Sequence, residues 1–211
     1  MPPLDLLHID DHLVVVNKPA RLLAVAAPGR KADNLVDRLG RQLGQRLHAV
    51  HRLDEDTTGA VCIARDPQAR EAMEDLFRRR AVQRDYLALV AGRPNPPSGR
   101  IESQVREDGG VMKVVTRGGQ IAVTNYETIQ TRGRFTLVRC RLETGRRNQI
   151  RVHLQAIDCP LAGDRKYGFR PRGNERFQRP MLHSWRLRFR HPLLGTEVDV
   201  EVAPPEQELA P

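Results

Sequence analysis

The feature of this chain that most constrains its fold is a long strand-rich stretch in the middle. Four runs of apolar and β-branched residues follow one another there without a predicted helix between them, and two more lie near the end. Strands in series, without a helix between each pair, favour antiparallel pairing over repeated βαβ units. The sequence therefore predicts an α+β fold with a mixed, mostly antiparallel β-sheet flanked by helices. The predicted strands are residues 86–91, 111–115, 121–129, 135–142, 182–189 and 197–202.

Helical periodicity is clear in two places before the strand-rich stretch. Leucines recur at every fourth position over residues 35–47, with Asp33 or Asn34 available as the N-cap. Asp66 and Pro67 then begin a second helix in the preferred cap-then-proline order. The core face predicted for this second helix consists of Ala69, Met73, Leu76 and Phe77.

The chain ends and the loops indicate a single domain. Residues 6–17 predict a strand or hairpin that turns at 10–12, and the proline-rich residues 93–99 read as a loop because patterned sequence continues on both sides. A chain of 211 residues can bury a core without disulfides. We expect one domain over residues 1–211, with an ordered core of about 6–203 and a tail at 204–211.

Net charge and cysteine content limit which binding partners and which cellular compartment are expected. Lys and Arg number 35 against 26 acidic residues, a formal charge of +9, which favours RNA, DNA or an anionic membrane surface as partner. Three widely spaced cysteines read as free thiols of a reducing compartment. No signal peptide or membrane-length apolar run is found, so a cytoplasmic location is expected. His48 and His51 lack a matching ligand pair, so no metal site is predicted.

The residues with the clearest chemical signal are 51–59, His-Arg-Leu-Asp-Glu-Asp-Thr-Thr-Gly. They lie between the amphipathic run and the apolar, β-prone residues 60–64. A carboxylate at Asp54 on a loop between regular elements is placed where binding and catalytic groups concentrate. Spacing alone leaves open a capping aspartate with a solvated neighbour.

A second segment, residues 142–154, ends a strand and turns at Thr144-Gly145 into a third predicted helix that starts near Arg146. Its apolar face is predicted to consist of Ile150, Leu154 and Ile157. On the neighbouring face, Arg147 and Arg151 are four residues apart. Taken alone, Arg151 reads as an exposed helix arginine.

Together the two segments resemble the RluA-type RNA pseudouridine synthases, whose patterns read roughly HRLDxxTSG and TGRxHQIRxH. Three departures affect substrate detail more than chemistry: Asn148 stands where the family usually has His, Thr58 where Ser is common, and Ala20-Arg21 where Ser-Gly is usual. Further matches, in the family's order, are Val-Asn-Lys-Pro at 16–19, Arg-Asp-Tyr at 84–86, Gly-Asp-x-x-Tyr-Gly at 163–168 and His-Ser-Trp at 183–185.

The resemblance implies an enzyme that isomerises uridine to pseudouridine in structured RNA, ribosomal or transfer. It implies that Asp54 is the catalytic carboxylate and that Arg151 is its counter-ion. It also implies that Tyr86 stacks on a flipped-out base and that Arg52 replaces that base in the stack or binds a phosphate. The reaction has no leaving group and no redox change, so no cofactor and no metal are expected. A monomer is expected.

Two other function classes are set against this one. An RNA-binding module without chemistry is disfavoured by the intact Asp54, Tyr86 and Arg151. A nucleic-acid glycosidase commonly needs a second carboxylate, and the nearest candidates, Glu55 and Asp56, are adjacent on one loop and rarely flank a single bond. The basic segment 163–180, with aromatic residues interleaved, is expected to face RNA, although a solvated loop has similar composition.

Overall fold

The computed structural model describes residues 2–27, 29 and 32–205. The strands are β1 (Asp5–Ile9), β2 (Leu13–Lys18), β3 (His48–Ala49), β4 (Thr58–Ala64), β5 (Gln83–Ala91), β6 (Ser98–Asp108), β7 (Val111–Val115), β8 (Gln120–Arg132), β9 (Phe135–Leu142), β10 (Leu182–Arg190) and β11 (Glu197–Glu201). The helices are α1 (Leu35–Leu43), α2 (Pro67–Arg78) and α3 (Gln149–Ala156), with a 3₁₀ turn at Arg165–Tyr167. The α+β fold is confirmed. Residues 206–211 of the predicted tail lie outside the described part of the chain.

The chain divides into two compact units, and the first combines the described residues up to Arg84 with Ser184–Ala203. Its strands follow the order β1-β2-β4-β10, with β3 paired to β4 and β11 to β10. The β1–β2, β2–β4, β3–β4 and β10–β11 ladders are antiparallel. Ala69 and Met73 of α2 are fully buried against residues of β2, β4, β10 and β11, and Leu76 and Phe77 pack at the edge of that core. The predicted core face of α2 is therefore confirmed.

The second unit comprises the strand-rich middle of the chain, from Asp85 to His183. Its strands follow the order β5-β9-β8-β6-β7, and every neighbouring pair in this series is antiparallel. Helix α3 lies against this sheet, where Val152 is buried in a cluster with Val105, Met112, Ala122 and Tyr167. The predicted, mostly antiparallel pairing is confirmed.

Side-chain caps fix the starts of the first two helices. The Asn34 side chain accepts a 3.0 Å hydrogen bond from the backbone N–H of Asp37, and Asp66 accepts one of 2.7 Å from Ala69. Each cap satisfies a backbone donor that the first helical turn leaves without a partner. Helix α1 ends at Leu43 because Gly44 takes the left-handed conformation, with φ of 66°. The prediction of a helix continuing to residue 47 is therefore wrong.

Two further sequence predictions are wrong. Strand β6 was not expected, because its alternating charged and polar residues give a weak strand pattern; pairing with β8 on one side and β7 on the other supplies its backbone bonds. Helix α3 starts at Gln149 instead of Arg146, because Asn148 takes a left-handed conformation with φ of 51°. Arg147 therefore precedes the helix and binds Glu107 at 2.6 Å, and Ile157 is the C-cap.

Candidate active site

Asp54 lies on the loop between β3 and β4, half-buried, and both of its chain neighbours are fixed. Leu53 is buried, and the backbone N–H of Thr57 donates to the Asp54 carbonyl at 3.1 Å, closing a turn. The next carbonyl, that of Glu55, accepts from the backbone N–H of Leu22 at 3.3 Å. The loop therefore presents the Asp54 carboxylate from a backbone that is tied on both sides.

Lys18 also fixes the loop that carries Asp54. Its ammonium is fully buried and donates to three backbone carbonyls, those of Pro19 at 2.9 Å, Leu22 at 2.8 Å and Glu55 at 2.8 Å. A buried cation is tolerated only when its donors are satisfied, and hydrogen bonds from a charged donor are stronger than neutral ones. The cation therefore ties the end of β2 to the residue directly after Asp54.

His51 anchors the start of the loop. Its Nε2 accepts a 2.9 Å hydrogen bond from the backbone N–H of Cys62 in β4, and its ring lies 4.8 Å from that of Phe77. Burial, with a smaller contribution from the Arg84 charge, lowers the pKa of His51 to about 3. The imidazole is therefore neutral at physiological pH, as the hydrogen bond from Cys62 requires.

Gly59 fixes where the loop enters β4. Its φ is 107°, a conformation that side chains disfavour. A Cβ atom there would lie 2.2 Å from the carbonyl oxygen of Ser184. Residue 59, the last residue of the segment 51–59, must therefore be glycine for β4 to lie this close to Ser184.

Arg151 projects from α3 and is largely buried, with a side-chain exposure of 13%. Its Nε and Nη2 donate to the two carboxylate oxygens of Asp164 at 2.7 and 2.9 Å. Asp164 is itself 1% exposed. Such a two-point bond fixes the plane of a guanidinium as well as its position. The reading of Arg151 as an exposed helix arginine is therefore wrong.

Two further side chains contact the same guanidinium. The Arg151 Cζ lies 4.8 Å from the centre of the Tyr167 ring, and its Nη1 donates to Asn148 Oδ1 at 3.3 Å. Asn148 Nδ2 in turn donates to the Tyr167 hydroxyl at 2.9 Å. The Gly-Asp-x-x-Tyr-Gly segment thus supplies a carboxylate and an aromatic face to the arginine of α3.

Tyr86 lies on β5, 6% exposed, on the face of the second unit's strands that α3 covers. Tyr86 pairs with Cys140, and Leu142, two residues further along β9, pairs with Thr124. Paired residues share a face, as do residues two apart on one strand. Because the Thr124 hydroxyl contacts His153 of α3 at 2.9 Å, Tyr86 is on the same face as this helix.

The predicted site residues thus fall into two groups. Asp54 and the exposed Arg52 are on one loop of the first unit, and Tyr86 and Arg151 are on one face of the second. The pairing of Asp54 with Arg151 stays a prediction. Lys18 and Asp164 lie within the matched sequence motifs, but the motifs assigned neither residue a role. The sequence signal that could have identified them is that each is an ionisable residue inside a motif, with Lys18 directly before a proline and Asp164 directly after a glycine.

The basic segment 163–180 is only partly as expected. Arg134 holds Glu175 through two hydrogen bonds, one of 2.7 Å from Nε, and this bond lowers the pKa of Glu175 to about 2. Tyr167 and Phe169 are buried in the protein instead of exposed, and so is Arg179, whose Nη1 donates to two backbone carbonyls. The exposed basic side chains are Arg165, Lys166, Arg170, Arg172 and Arg176.

Comparison with known proteins decides the family. The family model described as RNA pseudouridylate synthase matches residues 12–156, which include both the Asp54 loop and α3. The chain belongs to the RNA pseudouridylate synthase family.

Relatives of this family match nearly the whole chain. The "Uncharacterized RNA pseudouridine synthase YlyB" of Bacillus subtilis strain 168 is 38% identical over 96% of this chain and 70% of its own length. The "Ribosomal large subunit pseudouridine synthase D" of Zymomonas mobilis is 34% identical over 97% of this chain and 70% of its own length. The solved human RNA pseudouridylate synthase domain-containing protein 4 covers 95% of this chain and 88% of its own, with a TM-score of 0.75 and 28% identity.

As an RNA pseudouridylate synthase, the protein is an isomerase that acts on uridine in RNA. None of its described helices is both long and apolar enough to cross a membrane. Among the described residues, no three His, Cys, Asp or Glu side chains form a group that could hold a metal ion.

Proposed function

We propose that this enzyme isomerises specific uridines in structured ribosomal or transfer RNA, with Asp54 acting on a flipped-out uridine. One observation carries the proposal: the Asp54 carboxylate stands on a loop whose neighbouring groups are held by Lys18 and His51. Such anchoring keeps a reactive group in one geometry, as enzyme sites require. We further propose that the two units act together as one catalytic domain.

The reaction conserves all atoms of the RNA. The N1–C1′ bond of the uridine breaks, the base rotates, and a new C5–C1′ bond forms. The C5 proton leaves and N1 gains a proton. An ionised carboxylate serves this sequence either as a nucleophile at C1′ or as a base at the sugar, and Asp54 is proposed for that role.

Three further residues are proposed to act on the same uridine. Tyr86 supplies a ring against which the base stacks, a contact worth about 1–3 kcal/mol per base. Arg151 is proposed as the cation that balances the Asp54 charge. A guanidinium has five N–H donors, so its bond to Asp164 is compatible with a second carboxylate. Arg52, exposed on the Asp54 loop, is proposed to fill the space that the base leaves or to bind a phosphate.

The RNA partner is proposed from charge and from the relatives. The Zymomonas mobilis relative is named for the large ribosomal subunit, and this chain carries a formal charge of +9. Positive charge favours binding to phosphates without selecting a sequence, whereas shape and exposed bases select the site. We propose that the protein acts as a monomer in the cytoplasm, without cofactor or metal.

The test replaces Asp54 by Asn, which keeps the shape of the side chain and removes its charge. Asp54→Asn is expected to abolish pseudouridine formation in ribosomal and transfer RNA, measured by tritium release from 5-tritiated uridine, while RNA affinity stays within a few-fold. Glu55→Gln and Asp56→Asn are matched controls on the same loop and are expected to keep activity.

Three outcomes would contradict the proposal. Turnover by Asp54→Asn, free of wild-type enzyme and of deamidation to Asp, would exclude this carboxylate as the essential group. Loss of activity in Glu55→Gln alone would move the chemistry to a different carboxylate. Release of free uracil, with loss of mass from the RNA, would identify a glycosidase.

A further inference from the structure

We propose that Asp164, Tyr167 and Asn148 are positioning residues that hold the Arg151 guanidinium in one orientation for uridine isomerisation. The inference rests on the proposed role of Arg151. The three side chains contact the guanidinium through a carboxylate, a ring face and an amide oxygen.

Asp164 determines the plane of the guanidinium. Its two oxygens take the Nε and Nη2 edge of Arg151, and Oδ1 also accepts the backbone N–H of Tyr167 at 3.3 Å. The backbone next to it packs closely, because Gly163 has φ of 81° and a Cβ there would lie 2.0 Å from the Arg179 carbonyl oxygen. The Asp164 carboxylate therefore projects from a tightly packed backbone.

Asn148 is used in an unusual way. It is the N-cap of α3, yet its side chain makes no capping hydrogen bond, and its φ is 51°. A capping bond is worth about 0.5–2 kcal/mol, and asparagine is one of the few residues besides glycine that adopt the left-handed conformation readily. The Asn148 side chain makes two other contacts in place of the cap. Here the amide links Arg151 Nη1 to the Tyr167 hydroxyl.

The atoms of the Asn148 amide can face only one way. A guanidinium carries donors alone, so the atom that faces Arg151 must be the carbonyl oxygen. The NH₂ group then faces Tyr167, whose hydroxyl oxygen also accepts the backbone N–H of Met112 at 3.0 Å. Tyr167 is therefore fixed by β7 as well as by Asn148, and its ring keeps a constant position against the guanidinium.

The consequence for the reaction is pre-organisation. An unsupported arginine has several freely rotating bonds, so a charge at its end is spread over many positions. The three contacts confine that charge before RNA binds, and misplacement by about 1 Å of a group that acts on a substrate can cost roughly 100-fold in rate. Asp164, Tyr167 and Asn148 therefore act on the rate of isomerisation through Arg151.

The experiment measures the single-turnover rate and RNA affinity of Arg151→Met, Asp164→Asn, Asn148→Gly and the double variant Arg151→Met/Asp164→Asn. Glycine is used at position 148 because it removes the amide without straining a positive φ. Asp164→Asn and Asn148→Gly are expected to slow the reaction by roughly 10- to 100-fold, with RNA affinity within a few-fold.

The matched control is Asp85→Asn. Asp85 is also 1% exposed and binds Arg141 through Nε and Nη2 at 2.7 and 3.3 Å, but its side chain is on the sheet face opposite α3. It is expected to lose comparable thermal stability while its rate stays within a few-fold of wild type. Rates are compared at temperatures where all variants are folded.

The double variant separates positioning from other roles. If Asp164 acts only through Arg151, Asp164→Asn should change the rate of the Arg151→Met protein by less than about twofold. A further loss of tenfold or more in that background, or single-variant rates that match Asp85→Asn, would overturn the inference. A wild-type rate for Arg151→Met would instead refute the proposed role of Arg151 itself.

Discussion

Helix α3 carries Arg151, and a buried histidine makes its attachment sensitive to acid. His153 is fully buried, with Nδ1 2.9 Å from the Thr124 hydroxyl and Nε2 3.0 Å from that of Ser103. Burial lowers the pKa of His153 from its usual 6.5 to about 4. The imidazole is therefore neutral in the folded protein at physiological pH, and acid favours the unfolded chain.

The size of the effect follows from proton linkage. Below about pH 6.5 this histidine is protonated in the unfolded chain, whereas in the folded protein it becomes protonated only near pH 4. Each pH unit in this window costs about 1.4 kcal/mol of folding free energy, so His153 alone should remove about 2 kcal/mol by about pH 5. The contribution is fully present above about pH 6.5 and levels off below about pH 4.

The assay is urea unfolding of wild type and His153→Gln between about pH 7 and pH 4. Glutamine can donate and accept hydrogen bonds but does not titrate. The contributions of the other ionisable groups to the pH dependence therefore cancel in the difference in unfolding free energy between the two proteins. Wild type should be the more stable near pH 7 and should lose that advantage as pH falls. A difference in unfolding free energy that is constant across the range would refute the reasoning.

Three further outcomes are expected. Lys18→Met removes the ammonium donor from three backbone carbonyls and should cost about 3 kcal/mol after relief of the buried charge; a change under about 1 kcal/mol by urea unfolding would contradict this. Gly59→Ala should cost about 3 kcal/mol or more, because its Cβ would meet the Ser184 carbonyl, whereas Gly44→Ala, with open space around it, should cost about 1 kcal/mol by the same measurement. Tyr86→Phe should bind RNA within a few-fold of wild type but lose turnover if its hydroxyl removes the C5 proton, and Tyr86→Ala should lose both; wild-type rates for both variants would leave Tyr86 a core residue.

Local signals in the sequence predicted the parts of the fold that depend on local chemistry. The starts of α1 and α2 follow from Asn34 and Asp66, whose side chains cap backbone donors only three residues away. The late start of α3 does not follow from a local signal of this kind. It depends on the left-handed Asn148 and on the buried Gln149 side chain, which donates to Thr124 and to the carbonyl of Val123.

The candidate site was predictable in its motifs and not in its contacts. The resemblance named Asp54 and Arg151, and the structure adds a carboxylate that binds Arg151, that of Asp164, thirteen residues further along the chain. No helical or strand period connects such positions. The Lys18 ammonium likewise meets the Glu55 carbonyl across 37 residues. Such contacts depend on tertiary packing and leave no spacing signal in the sequence.

The alternation of faces along β5 has a consequence for how this protein can vary in length. Tyr86 and Asp85 are neighbours in sequence but lie on opposite faces, and the pairing of β5 with β9 sets which residue is on which. Insertion of one residue between Gln83 and Asp85, with the start of β5 held in place, would put the Asp85 carboxylate opposite Cys140, where the Tyr86 ring now lies, and move that ring to the opposite face. Insertions are therefore expected to be tolerated in the turn at residues 93–97 and excluded from the first half of β5.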